Sequence, residues 1–180
     1  MSRPTVSKEQ MLERVAVFKQ LRSSGRPLID AVLPQFQREI FNIIGGGVTE
    51  DPSMSVPITA VEGFHMSIIK AGPQKGTGLH NHKTVEVFMP LTGTWSVQWG
   101  DDGENELTLE QYDVISVPVG IMRGFRNDSP HEALLLSIVG GDEPGQVEWI
   151  PSIRAAVREQ GFTLDDGGKI IALEERAPAP

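Results

Sequence analysis

From about residue 57 onward, short apolar stretches alternate with glycine, proline and acidic turn residues. Residues 94–99 show the pattern well, because polar residues separate Trp95, Val97 and Trp99. Side chains that recur with a period of two lie on one face of a strand. Many short strands with regular turn signals predict an all-β sandwich or barrel. Strands are expected over residues 58–61, 64–70, 79–86, 87–91, 94–99, 106–109, 113–118, 121–126 and 133–139, with a hairpin turn at residues 101–103.

A helical pattern precedes this block. Residues 7–23 predict an amphipathic helix that begins with a capping box of Ser7 and Gln10, and Gly25 suits its C-terminal cap. Its expected apolar face contains Met11, Val15, Phe18 and Arg22, widened by Leu12 and Leu21. Such a face is expected to pack on the barrel or on a partner subunit.

The remaining segments complete the domain organisation. Residues 27–33 predict a second short helix, residues 36–44 fit either a helix or a strand, and residues 151–160 predict a helix that Gly161 ends. Residues 177–180 are expected to be disordered. The chain is thus expected to contain an N-terminal helical extension and arm (residues 1–56), a β-barrel (residues 57–150) and a C-terminal helix and tail (residues 151–180).

Composition limits the possible classes of function. The 180 residues suit one domain, and a hydrophobic content of 39% supports a core without any apolar run of bilayer length. The chain has no cysteine, so a metal would have to be held by nitrogen and oxygen. A net charge of −8 argues against nucleic acid and anionic membranes as partners. The N-terminus shows no apolar signal region, so a cytoplasmic location is the default expectation.

The main chemical candidate is a group formed by His80, His82 and Glu86. Residues i and i+2 of a strand point to the same face, so the two imidazoles are expected to converge from one strand. A carboxylate four residues later can join them after a small irregularity. Two histidines and one carboxylate form a facial triad that leaves metal positions open. The alternative is an exposed polar strand with incidental histidines.

Two motifs together resemble those of the cupin superfamily over residues 57–140. The first cupin motif is matched at His80, His82, Glu86 and Gly93, and the second at Pro118, Gly120 and Asn127. This resemblance implies one cupin-like double-stranded β-helix, or jelly roll, with the N-terminal helical extension added to it.

The chain departs from the cupin pattern at three positions. Gln74 and Tyr112 replace the opening glycines of the two motifs, which leaves the turn at Tyr112 open. Arg123 replaces the third histidine ligand, and arginine has no lone pair to offer a metal. Arg123 can hold an anionic substrate beside the metal, pair with Glu86 in a metal-free site, or turn outward.

Other residues are weaker candidates. His65 would supply the missing ligand if it faces inward, but a histidine satisfied in the core or at the surface is the simpler interpretation. His131 is expected to be exposed in a turn. The candidates for lining the site are Phe88, Val117, Met122 and Phe125, for each of which ordinary core packing is the alternative.

The expected function is a metal-binding cupin, with a small oxygenase-type enzyme, such as a metal-dependent dioxygenase, as the leading hypothesis. In it His80, His82 and Glu86 hold iron(II), and Arg123 orients an anionic group of a small organic substrate. Manganese, nickel, cobalt and zinc also suit these ligands. The alternatives are a non-catalytic small-molecule or metal-binding cupin and a metal-assisted isomerase or lyase. A homodimer is expected, because a partner would bury the apolar helix face and exposed sheet edges.

Overall fold

The computed structural model describes residues 3–143 and 145–173 of the protein. The strands are β1 Glu39–Ile44, β2 Phe64–Ala71, β3 Gly76–Asn81, β4 Glu86–Pro90, β5 Trp95–Trp99, β6 Asn105–Leu109, β7 Ile115–Val117, β8 Arg123–Asn127, β9 Ala133–Gly140, β10 Glu148–Trp149, β11 Phe162–Leu164 and β12 Ile170–Ala172. The α-helices are α1 Lys8–Leu12 and α2 Pro151–Glu159, and 3₁₀ turns lie at Phe18–Gln20, Ile29–Val32 and Pro34–Phe36.

The strands form two five-stranded sheets and one small separate hairpin. The first sheet has the order β1-β2-β9-β4-β7, the second has the order β10-β3-β8-β5-β6, and β11 pairs with β12. All of these pairs are antiparallel. Consecutive strands such as β3 and β4, or β8 and β9, belong to different sheets, so the chain passes repeatedly from one sheet to the other. This is the jelly-roll architecture, and the predicted all-β fold is confirmed.

The main core lies between the two sheets and follows from the alternation along their strands. In β9 the residues Ala133, Leu135, Ser137 and Val139 are buried and the intervening residues are less so. Phe88 and Phe125 come from opposite sheets and meet edge to face, with ring centroids 5.3 Å apart. Each large apolar side chain buried in this way contributes about 1.5–3 kcal/mol. The buried core consists of Ile40, Ile69, Ala71, Phe88, Trp95, Val97, Leu109, Val117, Phe125, Ala133 and Leu135.

The turns keep the backbone that glycine would adopt, even where glycine is missing. Gln74 and Tyr112 have φ angles of 58° and 72°, and they are the two residues that replace the opening glycines of the cupin motifs. Gly93 also has a positive φ of 71°, and a side chain there would collide with Ser129. The left-handed region costs a non-glycine residue roughly 1–2 kcal/mol. The turn geometry is therefore retained at Gln74 and Tyr112 at some cost in stability.

Asn127 holds two loops together at the end of β8. Its buried amide donates hydrogen bonds of 2.9 Å to the carbonyl oxygens of Ala71 and His131, and its side-chain oxygen accepts one from Ser129 N–H. A buried amide group with its hydrogen bonds satisfied fixes these loops in one arrangement. The second-motif asparagine thus has a structural role.

The predicted helix over residues 7–23 is wrong beyond its first turn. The capping box of Ser7 and Gln10 is present, but α1 ends at Leu12, and Gly25 caps no helix. The side chains of Met11 and Val15 remain about half exposed rather than packed on the barrel. An isolated helix of this length is marginal in water without tertiary packing, so the periodic pattern alone does not sustain it.

The N-terminal arm also supplies part of the barrel. The ambiguous segment 36–44 contains β1, which pairs with β2 along the edge of the first sheet. The change of pattern at residue 57 therefore does not mark the start of the barrel. Of the predicted helix at residues 27–33 only the 3₁₀ turn Ile29–Val32 forms, and residues 58–61 contribute a single β-bridge at Ile58.

The C-terminal part begins with the predicted helix. The helix α2 spans Pro151–Glu159, and Gly161 follows with a φ of 80°. A second core joins it to the N-terminal arm through Leu28, Ile29, Leu33, Trp149, Ile153 and Val157. The tail expected to be disordered, residues 177–180, lies outside the described residues. Within residues 3–143 and 145–173, no helix has the length and apolar character needed to cross a membrane.

Candidate metal centre

Three potential ligands converge between the two sheets. His80 lies on β3, His82 follows the end of β3, and Glu86 is the first residue of β4. All three side chains are buried, and their ligand atoms lie within 4.8 Å of one another. The imidazoles converge as expected, but Glu86 belongs to the opposite sheet rather than to an irregular continuation of the same strand. The turn at residues 82–85 closes the group.

Each of these side chains is held by a hydrogen bond on an atom that faces away from the other two, called here its outer atom. His80 Nδ1 lies 2.9 Å from the carbonyl oxygen of Gly78, which only accepts, so Nδ1 carries the proton. His82 Nδ1 lies 3.0 Å from Thr84 Oγ1. Glu86 Oε1 accepts a 2.8 Å hydrogen bond from Ser137 Oγ. Outer bonds of this kind orient metal ligands and set the tautomer of each histidine, and they leave the inner atoms directed toward one another.

Arg123 enters the centre from the neighbouring strand. It lies opposite His80 in the β3–β8 register and is fully buried. Its Nε and Nη2 each lie 3.1 Å from Glu86 Oε2, and Nη2 also contacts His82 Nε2 closely. Its Nη1 donates to Asn81 Oδ1 and to the carbonyl oxygen of Ile121. A guanidinium has five N–H groups, and all five thus have acceptors within the protein.

The contact between His82 and Glu86 follows from the position of Arg123. His82 Nε2 and Glu86 Oε2 are 3.1 Å apart. Because the Arg123 Nη2 group only donates, His82 Nε2 accepts from it and presents a lone pair, as does the carboxylate. Two lone-pair atoms at this separation require a cation or a bridging donor between them. Arg123 provides both.

Burial and charge set the protonation of this group. Burial alone would raise the pKa of Glu86, but the Arg123 guanidinium, which donates two hydrogen bonds to Oε2, opposes burial and helps to hold the pKa below its usual value. Burial, with the nearby Arg123 charge, lowers the pKa of His80 to about 3. Burial also lowers the pKa of Arg123, although Glu86 opposes this. Near neutral pH, the site therefore holds a carboxylate, a guanidinium and a neutral His80.

A cavity of about 40 Å³ lies beside the centre inside the barrel. His80 and Glu86 form part of its wall, together with the polar residues Asn42, Ser67 and Ser137 and the ring of Phe125. This volume suits roughly three water molecules or a ligand of a few atoms. Among the predicted lining residues, Phe125 borders the cavity, Phe88 and Val117 belong to the core, and Met122 lies away from the cavity.

His65 does not join the centre. Its Nδ1 accepts a 3.1 Å hydrogen bond from Gly47 N–H, and its Nε2 lies 3.0 Å from the carbonyl oxygen of Asp142. Both ring nitrogens are therefore used in holding loops, which is the simpler of the two interpretations of this residue. His131 is exposed, as expected.

A further layer supports His80 from behind and was not predicted from the sequence. The ring of Trp149 lies against that of His80, with centroids 5.2 Å apart, and its Nε1 donates to buried Glu50. Asp30 accepts from Gly78 N–H and pairs with buried Arg38, which ties β3 to the N-terminal arm. Ser137 could have been noticed from the sequence, because it is a polar residue within the otherwise apolar stretch 133–139. The strand that contains Trp149 has only two residues, so no sequence pattern predicts it or the position of Trp149.

The donor set fits a divalent transition metal in its chemistry. Two imidazoles and a carboxylate, each oriented from outside, are nitrogen and oxygen ligands of the kind that such metals accept. In the described part of the chain, His80, His82 and Glu86 form a group that could hold a metal ion. The guanidinium of Arg123 lies at the point where two of these ligands converge, so a metal would require it to move aside.

Comparisons with known proteins place the fold. A scan of protein-family models found no match for this chain, and a search of curated proteins found none either. A solved structure described as the DMSP lyases RdDddP and RnDddQII is similar over 72% of this chain and 62% of its own, with a TM-score of 0.54 and 15% identity. The cupin domain of Schizosaccharomyces pombe Cnp3 is similar over 70% and 72%, with a TM-score of 0.49 and 10% identity.

A recombinant oxalate oxidase in complex with glycolate is similar over 49% of this chain and 47% of its own, with a TM-score of 0.44 and 19% identity. The chain thus spans about half the length of that structure. Likeness at these identities concerns the fold alone. The two-sheet topology confirms the jelly-roll fold expected from the two motifs, and the TM-score of 0.54 to the DMSP lyase structure agrees with it.

Proposed function

We propose that this chain, a cupin by its fold, is a metal-dependent enzyme of oxygenase type that acts on a small organic anion. His80, His82 and Glu86 are the proposed ligands, and iron(II) is the first metal expected, with manganese, nickel, cobalt and zinc as alternatives. A divalent transition metal at this position would supply open coordination sites for substrate and dioxygen.

One observation carries this proposal. The inner atoms of two imidazoles and one carboxylate converge in a buried site, while an outer hydrogen bond holds each side chain in place. A potential ligand atom of each of the three side chains lies within 4.8 Å of those of the other two, an arrangement that a metal ion would use. Orientation of ligands from outside is typical of metal sites in proteins.

The other residues of the site have roles that follow from their positions. Phe125 and the apolar core exclude bulk water, which strengthens each electrostatic contact in the cavity. The small volume of the cavity favours a substrate of few atoms. Arg123 is the proposed partner of a substrate anion, a role that requires its Nε and Nη2 to leave Glu86 and His82.

A second candidate function is non-catalytic binding of a small molecule. It is favoured by the saturation of Arg123, whose five donors all have protein acceptors and whose charge already balances Glu86. In such a centre the charge of Glu86 is already neutralised without a metal ion. The two candidates differ in whether the purified protein carries a metal and consumes oxygen.

The test begins with elemental analysis of natively purified protein. We expect a divalent transition metal near one per chain and its loss in His82→Ala, while His131→Ala, which changes an exposed histidine, keeps it. Metal at about 100 times its dissociation constant should stabilise the wild type by about 2.7 kcal/mol and leave His82→Ala unaffected. Circular dichroism should show that both variants are folded.

The outcomes separate the hypotheses. Oxygen consumption by the iron-loaded protein with candidate small carboxylates would support the oxygenase, whereas turnover without oxygen would favour an isomerase or lyase. The opposite result is a purified protein that holds much less than one metal ion per chain, with no increase after reconstitution with iron, manganese, nickel, cobalt or zinc. That result would contradict the metal centre and favour non-catalytic binding of a small molecule.

A further inference from the structure

The position between His82 and Glu86 already holds a cationic group. Arg123 Nη2 contacts both His82 Nε2 and Glu86 Oε2, and Nε gives Oε2 a second hydrogen bond of 3.1 Å. A metal bound to the same two atoms would lie about 2.0–2.2 Å from each of them. That position overlaps the guanidinium, so the two cations exclude each other.

The charged groups on either side of the proposed metal position are paired before any metal enters. Arg123 offsets Glu86, and the buried Arg38 offsets the buried Asp30 at 2.9 Å. A divalent metal would add two positive charges to a site in which His80, His82 and Arg123 are all buried. Uncompensated charge in such surroundings is strongly unfavourable. A compensating anion is therefore needed when the metal binds.

Once a metal displaces the Arg123 guanidinium from Glu86, the guanidinium can bind such an anion. The atoms Nε and Nη2 form one edge of the guanidinium, and both now donate to the single oxygen Glu86 Oε2. A metal that takes Glu86 would free this edge. Two parallel donors match the two oxygens of a carboxylate. Meanwhile Nη1 can keep its bonds to Asn81 and Ile121 as a pivot.

We infer that Arg123 and a divalent metal compete for one cation position between His82 and Glu86, and that the metal binds together with a small carboxylate that the released guanidinium holds. This inference rests on the proposed metal centre and names its substrate class. The cavity beside His80 and Glu86, with room for roughly three water molecules, suits an anion of the size of formate or acetate.

The test measures metal affinity rather than activity. The full chain is stripped of metal and titrated with Mn²⁺, followed by electron paramagnetic resonance, in a buffer without carboxylates and then with formate. Arg123→Gln removes the competing cation, and Arg126→Gln is the control, since Arg126 lies on the same strand but pairs with Glu106 and Asp128 at the surface.

Without formate, Arg123→Gln should bind Mn²⁺ on the order of tenfold or more tightly than the wild type, and Arg126→Gln should match the wild type. Formate should tighten Mn²⁺ binding to the wild type by a similar factor and have a smaller effect on Arg123→Gln. If Arg123→Gln does not fold, the formate dependence of the wild type and of Arg123→Lys decides the question.

Equal Mn²⁺ affinity in the wild type and Arg123→Gln, with no effect of formate, would overturn the competition while leaving the metal centre in place. Failure of the folded wild type and of Arg123→Gln to bind Mn²⁺, with or without formate, would remove both the competition and the proposed metal centre.

Discussion

Ser137 donates a 2.8 Å hydrogen bond to Glu86 from the neighbouring strand, and both residues are buried. Ser137 binds Glu86 Oε1, so Oε2 remains directed toward the centre of the site. Ser137→Ala removes the donor and leaves a carboxylate oxygen buried without it.

We expect Ser137→Ala to lower the free energy of unfolding by about 1–3 kcal/mol, the usual cost of an unsatisfied buried polar group. Urea unfolding of the metal-free protein measures this change. Ser67→Ala is the matched control, because Ser67 lies opposite Ser137 in the β2–β9 register and also borders the cavity. Equal losses in the two variants would contradict a specific role for Ser137.

Glu50 should make the stability depend on pH. It accepts hydrogen bonds from Trp149 Nε1 and Ile29 N–H, and burial raises its pKa to about 7, with Asp30 adding to the rise and Arg38 opposing it. The folded state therefore holds this proton more tightly than the unfolded chain does. The resulting stability is complete below the unfolded pKa of 4.5 and is lost as the pH rises to about 7.

The loss across this range should reach about 3 kcal/mol at most, from the size of the pKa shift. Glu50→Gln cannot ionise, so its difference in stability from the wild type should change between pH 4.5 and 7, with the wild type losing its advantage as the pH rises. Chemical denaturation across this range tests the idea, with Glu106→Gln as a surface control. A constant difference between wild type and Glu50→Gln would show that Glu50 does not titrate there.

Tyr112 should be a site at which glycine stabilises the protein. Its φ is 72° and the residue is 66% exposed, so the substitution relieves backbone strain and removes few contacts. Tyr112→Gly should raise the free energy of unfolding by about 0.5–1 kcal/mol, because the relief exceeds the added entropy of the unfolded chain. Tyr112→Ala is the control, since it removes the ring but keeps the Cβ. If Tyr112→Ala raises the free energy of unfolding as much as Tyr112→Gly does, the gain comes from removing the ring and not from relieving backbone strain.

The homodimer stays a prediction, and the N-terminal segment is where it should form. Val6, Met11, Leu12 and Val15 each remain about half exposed within ten residues of chain. Light scattering at micromolar concentration should give twice the chain mass, and Met11→Glu with Val15→Glu should reduce it to the monomer mass, because a charge buried in an apolar contact is unfavourable. Val114→Glu alters an exposed apolar residue elsewhere and should have no effect. A monomer mass for the wild type would rule the dimer out.

The strands were predictable where local alternation reflects burial. Residues 94–99 were recognised because polar residues separate Trp95, Val97 and Trp99, and a period of two follows directly from strand geometry. The helix over residues 7–23 failed for the opposite reason. Its periodicity is real, but no partner surface packs against the apolar face, and without packing only the capped first turn persists.

By itself, the sequence determined the all-β jelly-roll class of the fold and the identity of the three potential ligands that converge, since these depend on residue type and short-range spacing. Only the tertiary structure decided where Arg123 lies. Its contacts with His82 and Glu86 depend on the register of β3 against β8 and on the approach of the opposite sheet. These contacts join residues 41 and 37 positions apart. No local pattern records that geometry, because it arises from how the two sheets pack.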